Sequence, residues 1–562
     1  MDRVAKIAMP ARGNVRRRAP LALSRWIGVI VVAVTLTTTA GAQEKVAPMP
    51  PPCAFPGFDA VTAASVARAR ALVVLPLSVV GNGNAQTDFL SSGVTDAVLD
   101  RLSATLPRLE IAGRRIGYAH VVNTATSAKR AAAELKTKYV LTGAVSASRD
   151  GARLTFALYD GATGARAWTR NYLYDSVGAG PIVRGVSSEI ANRIAGSLTP
   201  QESKTLDRLP TQNRLAYEWL LKGDAASDGA AFDRAADAFR QAIRLDRGYL
   251  DAYSKLALAD ADLLSDGVEK SEGGVVLLEE LQSAASRAVS NNPTSPIAWL
   301  AEGRARLLGG RATSAWRTAF DRAVALDGRD PTILEEYGHA LALTDDRVAA
   351  VDMLRRAAAL IPRSAEVLTT LAEIAIADRK DGEACGLLNA AIAADALYGP
   401  AWADRALLRV KHGELRFAWA DAETATKVGS GLLGEGAAAI VDLASRDTAR
   451  ARARLADVML DVSSRGTISV REGRAVASAF IAAGQMTRAL DVLEAVRPRG
   501  PLYAATLRDP NFDRARREPR FRALTAPSPA GPPEARAPVT GAFATAYRGV
   551  NSMPVNVARE HP

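Results

Sequence analysis

The residue types that most often carry catalysis or bind metals are scarce in this chain, and their spacing forms no recognisable site. The four histidines are His120, His339, His412 and His561. None lies four residues from another, the spacing that lets two imidazoles on one helix face share a metal ion. Cys53 and Cys385 have no neighbours at metal-ligand spacing, and one pair is too few for a disulfide framework. We therefore interpret them as two unpaired thiols and predict neither a metal nor a cofactor.

A glycine-rich turn near the start of the chain could bind a phosphate. Gly81-Asn82-Gly83 follows a predicted strand and precedes a predicted helix, as a phosphate-binding loop does. It lacks the Gly-Lys-Ser/Thr ending, and Gln86 stands where a dinucleotide site would have its third glycine. The pattern favours a simple turn.

Two aspartates, Asp160 and Asp175, could form an acid and base pair. Asp160 falls in a predicted turn and Asp175 at the end of a predicted strand, so solvated capping groups are the better interpretation. The chain has no Gly-x-Ser-x-Gly elbow and no evident pairing of a cysteine with a histidine. These patterns predict a protein that is not an enzyme.

Three copies of one helical hairpin follow each other with a period of 34 residues between Ile333 and Thr426. Residues of similar size recur 34 apart in four columns: Gly338, Ala372, Ala406; Ala350, Ala384, Ala418; Leu354, Leu388, Ala422; and Ala357, Ala391, Ala425. Two antiparallel helices approach closely where a small side chain faces the partner and a bulky one fills the groove beside it. The pattern therefore predicts an all-α solenoid of stacked hairpins.

This repeat resembles the tetratricopeptide repeat, which also uses 34 residues. The resemblance implies that the first helix of each hairpin lines a concave groove that binds extended peptides or partner helices. The side chains expected to face this groove are Arg304, Leu307, His339, Leu343, Glu373, Ile376, Leu407, Val410 and Lys411. A competing interpretation is that some of them only pack one repeat against the next. The aromatic residues at the consensus packing positions are expected in the core: Trp219, Trp299, Trp402, Phe239 and Phe320.

The same offsets extend the array in both directions. Small residues equivalent to Gly338 place three earlier copies, at Gly223, Ala257 and Gly303. Beyond Gly429 the pattern weakens, with degenerate hairpins predicted at 433–462 and 477–496 and a capping segment at 507–524. We assign residues 211–526 to the repeats. The tail, residues 527–562, is rich in Pro, Ala and Gly and is predicted to be disordered.

Residues 68–200 alternate between strand and helix patterns before the repeats begin. The apolar run at 71–80 is typical of a buried strand, and Pro76 within it predicts an edge or a bulge. Further strands are predicted at 109–112, 139–146, 153–159 and 166–174, and helices at 90–106, 128–135 and 183–198. This order predicts an α/β domain with a mixed sheet ahead of the solenoid.

This domain resembles the TolB-like amino-terminal domain that precedes tetratricopeptide repeats in adenylate-cyclase-related and winged-helix regulatory proteins of bacteria. The resemblance is carried, in order, by VVLPL, DFLSSGVTDAVLDRLS, AAAELKTKYVLTGAVS and GARLTFALYDGATGARAWTRNY. The sequence ahead of it is too short for a winged helix or a cyclase. We therefore expect the regulation of transcription and the nucleotide cyclisation of those relatives to be missing here.

Residues 1–42 have the pattern of an export signal. Seven basic residues stand against one acid, an apolar run covers 26–39, and Ala40-Gly41-Ala42 fits a cleavage site. The competing interpretation is an uncleaved anchor within 21–42, because the basic region is long. Either one places the rest of the chain outside the cytoplasm, in the periplasm or cell envelope or on a single-pass inner-membrane protein. The Pro-rich residues 43–67 form a predicted linker.

The net charge of +11 does not indicate nucleic-acid binding. Residues 1–42 carry +6 and residues 497–522 carry +5, so the remainder is close to neutral and offers no clustered basic face. We predict an exported, non-enzymatic scaffold that binds a peptide or protein partner through the concave face of the repeats. The alternative is a membrane-anchored signalling protein whose exported domains sense a partner or ligand.

Overall fold

The computed structural model describes residues 51–55, 70–81, 85–106, 109, 111–112, 122, 124–149, 151–174, 178–265, 273–309, 314–344, 346–465, 468–496 and 512–525. The predicted export signal, most of the linker, His120, Asp175 and the tail lie outside these ranges. Within them, no helix combines the length and apolar character needed to cross a membrane.

A mixed sheet forms the amino-terminal part of the described chain, as predicted. Its strands are β1 (Arg70–Val74), β2 (Ser78–Val80), β3 (Ile111–Ala112), β4 (Thr137–Ser148), β5 (Gly151–Asp160) and β6 (Arg166–Tyr174). Their order is β3-β1-β4-β5-β6, and β2 pairs with the far end of β4. The β1, β2 and β3 pairings are parallel, whereas β4, β5 and β6 form an antiparallel meander. The meander follows from the short turns that join these three strands.

Pro76 divides the first apolar run but does not place it at an edge. The run splits into β1 and β2, and both halves pair with β4. β1 lies between β3 and β4, so the prediction of an edge position was wrong for this half. Proline has no N–H to donate, and the break at residues 75–77 lets the chain pass it without losing the pairing on either side.

Helices cover both faces of the sheet. They are α1 (Ala85–Thr105), α2 (Ala125–Leu135) and α3 (Ala179–Ala195), followed by the short α4 (Pro200–Asp207). One face packs Leu141 and Leu158 with side chains of α1 and α3, and the other packs Val73 and Val140 with alanines of α2. Burial on both faces explains the continuous apolar run at residues 71–74 of the central strand β1.

In the part of the chain that the structure describes, eight helical hairpins follow the sheet. Their helices are α5 (Arg214–Asp228), α6 (Phe232–Leu245), α7 (Leu250–Ser265), α8 (Gly273–Asn291), α9 (Pro296–Leu308), α10 (Ala315–Leu326), α11 (Pro331–Leu343), α12 (Arg347–Leu360), α13 (Ala365–Ala377), α14 (Asp381–Ala394), α15 (Gly399–Lys411), α16 (Leu415–Lys427), α17 (Gly431–Ala444), α18 (Thr448–Arg465), α19 (Val470–Ala482) and α20 (Met486–Ala495). The two hairpins after Gly429 are complete, although the sequence pattern had weakened there.

The predicted small-to-bulky register holds the two helices of each hairpin together. A Cβ atom added to Gly338 would lie 2.6 Å from Cγ of Leu354, and one added to Gly303 would lie 2.7 Å from Cδ2 of Phe320. At Gly223 the corresponding distance to Cε1 of Phe239 is 2.3 Å. Such approaches leave no room for a side chain, so glycine is required for this helix spacing.

The aromatic residues behave largely as predicted. Phe239, Phe320 and Trp402 are fully buried. Trp219 and Trp299 are half-buried and pack against the core from its border. The indole N–H groups of Trp299 and Trp402 each donate to a carbonyl six residues earlier, at Pro293 and Ala396, with distances of 2.8 and 2.9 Å.

The last hairpin is covered by a short capping segment. A 3₁₀ turn at Ala515–Arg517 leads into α21 (Pro519–Thr525). Phe512 and Phe521 are buried there and join the core of α18, α19 and α20. This agrees with the capping segment predicted from the sequence, and it covers an apolar surface that the end of a solenoid would otherwise expose.

No packing gap separates the sheet from the first hairpins in the described part of the chain. One apolar cluster runs from Leu72 of β1 to Leu308 of α9, and α1 packs against α5. A Cβ atom on Gly93 would lie 2.7 Å from the carbonyl oxygen of Leu221, which shows how closely the two helices approach. The sheet therefore serves as the amino-terminal cap of the solenoid as well as a domain in itself.

Cys53 and Cys385 are joined by a disulfide, with Cα atoms 5.9 Å apart, so the interpretation as unpaired thiols was wrong. The bond ties the segment 51–55 to α14. Asn389, one turn further along α14, accepts from the backbone N–H of Cys53 at 3.2 Å and donates to its carbonyl at 2.9 Å. The ring of Phe55 stacks on His412 with a centroid distance of 4.0 Å. Since 332 residues separate the two cysteines, only the folded chain shows their proximity.

Replacing Gly338 with leucine is expected to destabilise the fourth hairpin by about 1–3 kcal/mol, because the new side chain must displace Leu354. Thermal unfolding followed by circular dichroism measures the effect. Gly229→Leu is the matched control, since a Cβ atom there meets its nearest neighbours at an ordinary 3.6 Å. An unchanged melting curve for Gly338→Leu would contradict the helix register.

Replacing both cysteines with serine is expected to lower the free energy of unfolding by about 2–4 kcal/mol, because the disulfide restricts the unfolded chain. Urea unfolding of the two proteins gives the difference. A reductant should bring the wild type to the stability of the variant and leave the variant itself unchanged. Equal stability of oxidised wild type and variant would show that the bond does not stabilise the fold.

Candidate peptide-binding face

The nine predicted groove residues lie on four first helices, α9, α11, α13 and α15. Each of these helices packs against the next, so their side chains form one continuous row. We use the term concave face for the surface made by the first helices α5, α7, α9, α11, α13, α15, α17 and α19.

Four of the nine residues meet at one cavity of about 70 Å³. Arg304 and Leu307 contribute from α9, and His339 and Leu343 from α11. Leu307 is buried, whereas Leu343 is 39% exposed and stands at the mouth. The cavity thus combines apolar side chains with four polar ones, those of Ser265, Arg304, Glu336 and His339.

Arg304 links three first helices across the wall of this cavity. Its guanidinium lies 2.7 Å from Asp262 of α7 and 3.6 Å from Glu336 of α11. Burial alone would lower the pKa of Arg304, but the two carboxylates outweigh it and raise the pKa above its usual value. The arginine is therefore held in a fixed position rather than free to follow a ligand.

Further along the array, the row of first helices is curved strongly enough to bring α19 back to α13. Arg471 of α19 forms an ion pair with Glu373 of α13 and lies 3.5 Å from Asp404 of α15. Packed helices are about 8–10 Å apart, so three steps along a straight row would separate α13 from α19 by more than an arginine can span. The contact requires a strongly curved row, and it occupies Glu373 within the chain.

Asp404 and Glu373 share this arginine and differ in their affinity for protons. Burial and the neighbouring charge of Glu373 raise the pKa of Asp404 to about 7, although Arg471 acts in the opposite direction. Burial would also raise the pKa of Glu373, but Arg471 and Arg474 lower it more. Glu373 is thus the ionised partner and Asp404 the one that gains a proton.

Of the other predicted groove residues, three pack between repeats and one lies at the surface. Ile376 and Leu407 are half-buried against the core, as is Val410 beside α16 and α17, so packing between repeats accounts for part of their surface. Lys411 is half exposed and lies 2.7 Å from Asp381 of α14. These four residues do not join the cavity.

His339 also belongs to a group of side chains that could bind a metal ion. Donor atoms of His339, Glu335 and Glu366 all lie within 4.8 Å of one another. Sequence reasoning missed this group because it searched for pairs of histidines. The signal that could have revealed it is a glutamate four residues before a histidine on one helix, with a second glutamate near the start of the next first helix.

Sequence reasoning also missed Asp262, Glu336 and Arg471. The first two follow from the repeat register, since they sit on first helices beside predicted residues. Nothing in the sequence indicated the contact made by Arg471, because its partner Glu373 is 98 residues away. That contact depends on the curvature of the array.

Asp160 is the last residue of β5 rather than a residue of the turn, and its side chain caps the turn that follows. Its carboxylate accepts hydrogen bonds from the backbone of Ala162 and Thr163 at 3.1 and 2.9 Å. The bonds from Thr163 lower the pKa of this exposed carboxyl. The arrangement stabilises the turn between β5 and β6.

The hairpins, their glycine register and their curvature define an α-solenoid of the tetratricopeptide type. No model of a known protein family matches the chain, and no curated protein matches it. Among solved structures, PilF of Pseudomonas aeruginosa shares 18% identity over 39% of this chain and 92% of its own, with a TM-score of 0.31. Yeast Tom70 shares 13% identity over 56% and 65%, with a TM-score of 0.34. YrrB, described as a TPR protein with an unusual peptide-binding site, shares 15% identity over 34% and 91%, with a TM-score of 0.24. At these TM-scores we transfer no property from them.

Because Asp404 has a pKa of about 7 in the fold and an ordinary value of about 3.9 when unfolded, the folded state binds more protons between these values. Stability should therefore fall as the pH rises from 5 to 8. Asp404→Asn cannot lose a proton and is expected to reduce that fall.

Melting temperatures at pH 5 and pH 8 test this dependence. Asp346→Asn is the control, because the hydrogen bond from Arg317 lowers the pKa of Asp346, which then does not titrate in this range. A pH dependence equal in wild type and Asp404→Asn would show that Asp404 is not the titrating group.

Proposed function

We propose that this protein is an exported, non-enzymatic scaffold that binds an extended segment of a protein partner through its concave face. The observation that supports it most is the cavity between α7, α9 and α11. Four residues predicted from the resemblance to the tetratricopeptide repeat, on two different helices, line that one cavity. A position chosen only for packing between repeats would not require an open space.

The chemistry of the cavity indicates the kind of segment. Leu307 and Leu343 offer an apolar wall that suits the end of an aliphatic side chain. Arg304 and His339 stand beside it. Arg304 can donate hydrogen bonds to the backbone around that side chain, and His339 can donate through one ring nitrogen and accept through the other. An extended peptide with one apolar anchor fits this arrangement.

The segment 51–55 provides a precedent on the same molecule. Asn389 contacts both the N–H and the carbonyl of Cys53, and these two contacts are made to the main chain rather than to the side chain. Arg405 holds the amide of Asn389 in place with a 2.9 Å hydrogen bond. Side-chain amides on solenoid helices therefore bind main chain in this protein, which supports binding of an extended partner.

The disulfide supports the proposal of export. Disulfides form and persist in oxidising compartments and are rare where thiols are kept reduced. Cys53 and Cys385 are 6% and 1% exposed, as in a structural bond. The basic and apolar segment at 1–42 agrees with the same location. The TolB-like resemblance of residues 68–200 would place a second partner-binding domain beside the repeats.

Selection of random 12-residue peptides on the oxidised full-length protein tests the peptide site. Leu343→Glu is expected to weaken the selected peptides at least about tenfold, because it places a charge at the mouth of the apolar cavity. Val348→Glu is the matched control, since Val348 is 87% exposed on α12. Equal binding by wild type and Leu343→Glu, or no peptide selected, would contradict the concave site.

Amino-terminal sequencing and membrane fractionation of the protein expressed in a bacterial host test export. A new terminus at Gln43 in the soluble periplasmic fraction is expected. An intact Met1 in the membrane fraction would replace the free scaffold with the anchored signalling protein. A reduced, unprocessed protein in the cytoplasm would contradict both.

A further inference from the structure

We propose that Glu335, His339 and Glu366 bind one divalent transition metal ion, with Zn²⁺ as the best-suited ion. The site lies on the concave face and joins the fourth hairpin to the fifth. It goes beyond peptide binding, because it would load in the absence of any partner.

The helix geometry brings the three donors together. Glu335 and His339 are four residues apart on α11, so they share one face of that helix. Glu366 stands in the first turn of α13, which packs against α11. The ligand atoms lie within 4.8 Å of one another. Ligands bonded to one tetrahedral ion at about 2.0–2.2 Å lie roughly 3.3–3.6 Å apart, so the three side chains must move closer together by up to about 1.5 Å to bind it.

The imidazole of His339 lacks the hydrogen bonds that a buried histidine normally makes. Its Nε2 atom is buried and has no hydrogen-bond partner. Its Nδ1 atom lies 3.9 Å from a carboxylate oxygen of Glu366, which is beyond hydrogen-bond distance. A buried polar atom without a partner destabilises the fold, and a metal ion coordinated by Nε2 would give this atom a partner.

The carboxylates supply the charge that a cation needs. Glu335 is 4% exposed, and its oxygen accepts from Ser364 at a long 3.4 Å. A hydrogen bond of this kind orients a ligating carboxylate from outside the coordination sphere. Two carboxylates this close repel each other in a partly buried place, so a divalent ion between them is favourable.

The other charged groups around His339 are already engaged. Arg304 pairs with Asp262 and Glu336, and Glu373 pairs with Arg471. Arg304 also feels the charge of Glu366, so its own positive charge opposes the ion and limits the affinity. With these pairs in place, the three donors present a formal charge of about −2 to the ion when His339 is neutral.

The donor set identifies the class of metal. One imidazole nitrogen and two carboxylate oxygens are ligands that Zn²⁺ binds readily, with Mn²⁺ and Co²⁺ as weaker alternatives, whereas Ca²⁺ and Mg²⁺ favour oxygen alone. His339 also lines the cavity of about 70 Å³, which leaves room for water on an open coordination position.

Equilibrium dialysis of the untagged, oxidised full-length protein against ZnCl₂, followed by elemental analysis, tests the site. Zn²⁺ bound by other surface groups is common to the wild type and the variants, so the difference between them measures binding at this site. Glu366→Gln and His339→Gln are each expected to weaken one Zn²⁺ site by at least about tenfold. Glu366 is 42% exposed at its side chain, so its variant should fold normally even if a change at Glu335 does not.

His412→Gln is the matched control, because His412 also contacts a carboxylate, that of Asp381 at 2.9 Å, but no second carboxylate ligand. It should retain the wild-type stoichiometry. Binding of Co²⁺ should give a visible spectrum without a thiolate band, and Glu366→Gln should abolish it. Zn²⁺ binding that is absent, or equal in wild type and both ligand variants, would overturn the proposal. Lost zinc binding with intact peptide binding would leave the scaffold function standing.

Discussion

The close contact between the two helices of each hairpin is the constraint on which the solenoid depends. Where Gly338 faces Leu354, no atom larger than hydrogen fits at the glycine, and the same holds at Gly303 against Phe320. This contact sets the distance and rotation of the second helix relative to the first. A small residue recurs at this position in the first six hairpins, as glycine in three and as Ala257, Ala372 and Ala406 in the others. The close contact therefore also aligns the first helices and brings residues of separate repeats to one surface.

The curvature of the array divides the row of first helices into an open region and a closed one. Around α7, α9 and α11 the concave face keeps an open cavity with Arg304 fixed in its wall. Around α13 and α15, Arg471 returns from α19 and fills the face with its own side chain. The same row of positions thus lines an open cavity in one part and is filled by the chain's own side chains in another, and local sequence alone does not distinguish the two.

The sequence was sufficient for features that depend on local periodicity. The sheet strands, the hairpins up to α16 and the buried positions of Phe239 and Phe320 follow from alternation and from the 34-residue period. Features that depend on distant contacts were missed: β1 lies inside the sheet, Cys53 reaches Cys385, and Glu373 meets Arg471. The cavity could be predicted only in part. The repeat register places Leu307 and Leu343 on the concave face, but it does not show where that face leaves open space.

The bond between Cys53 and Cys385 makes residues 53–385 a covalent ring. That ring contains the whole sheet, the first four hairpins and every residue that lines the cavity, Arg304 and His339 among them. A single backbone cut anywhere inside it leaves the two pieces attached to each other, whereas a cut after Cys385 releases everything that follows. In a compartment rich in proteases, a cut among the carboxyl-terminal hairpins would therefore remove chain from the molecule. A cut within the part that carries the cavity would leave its two pieces covalently joined.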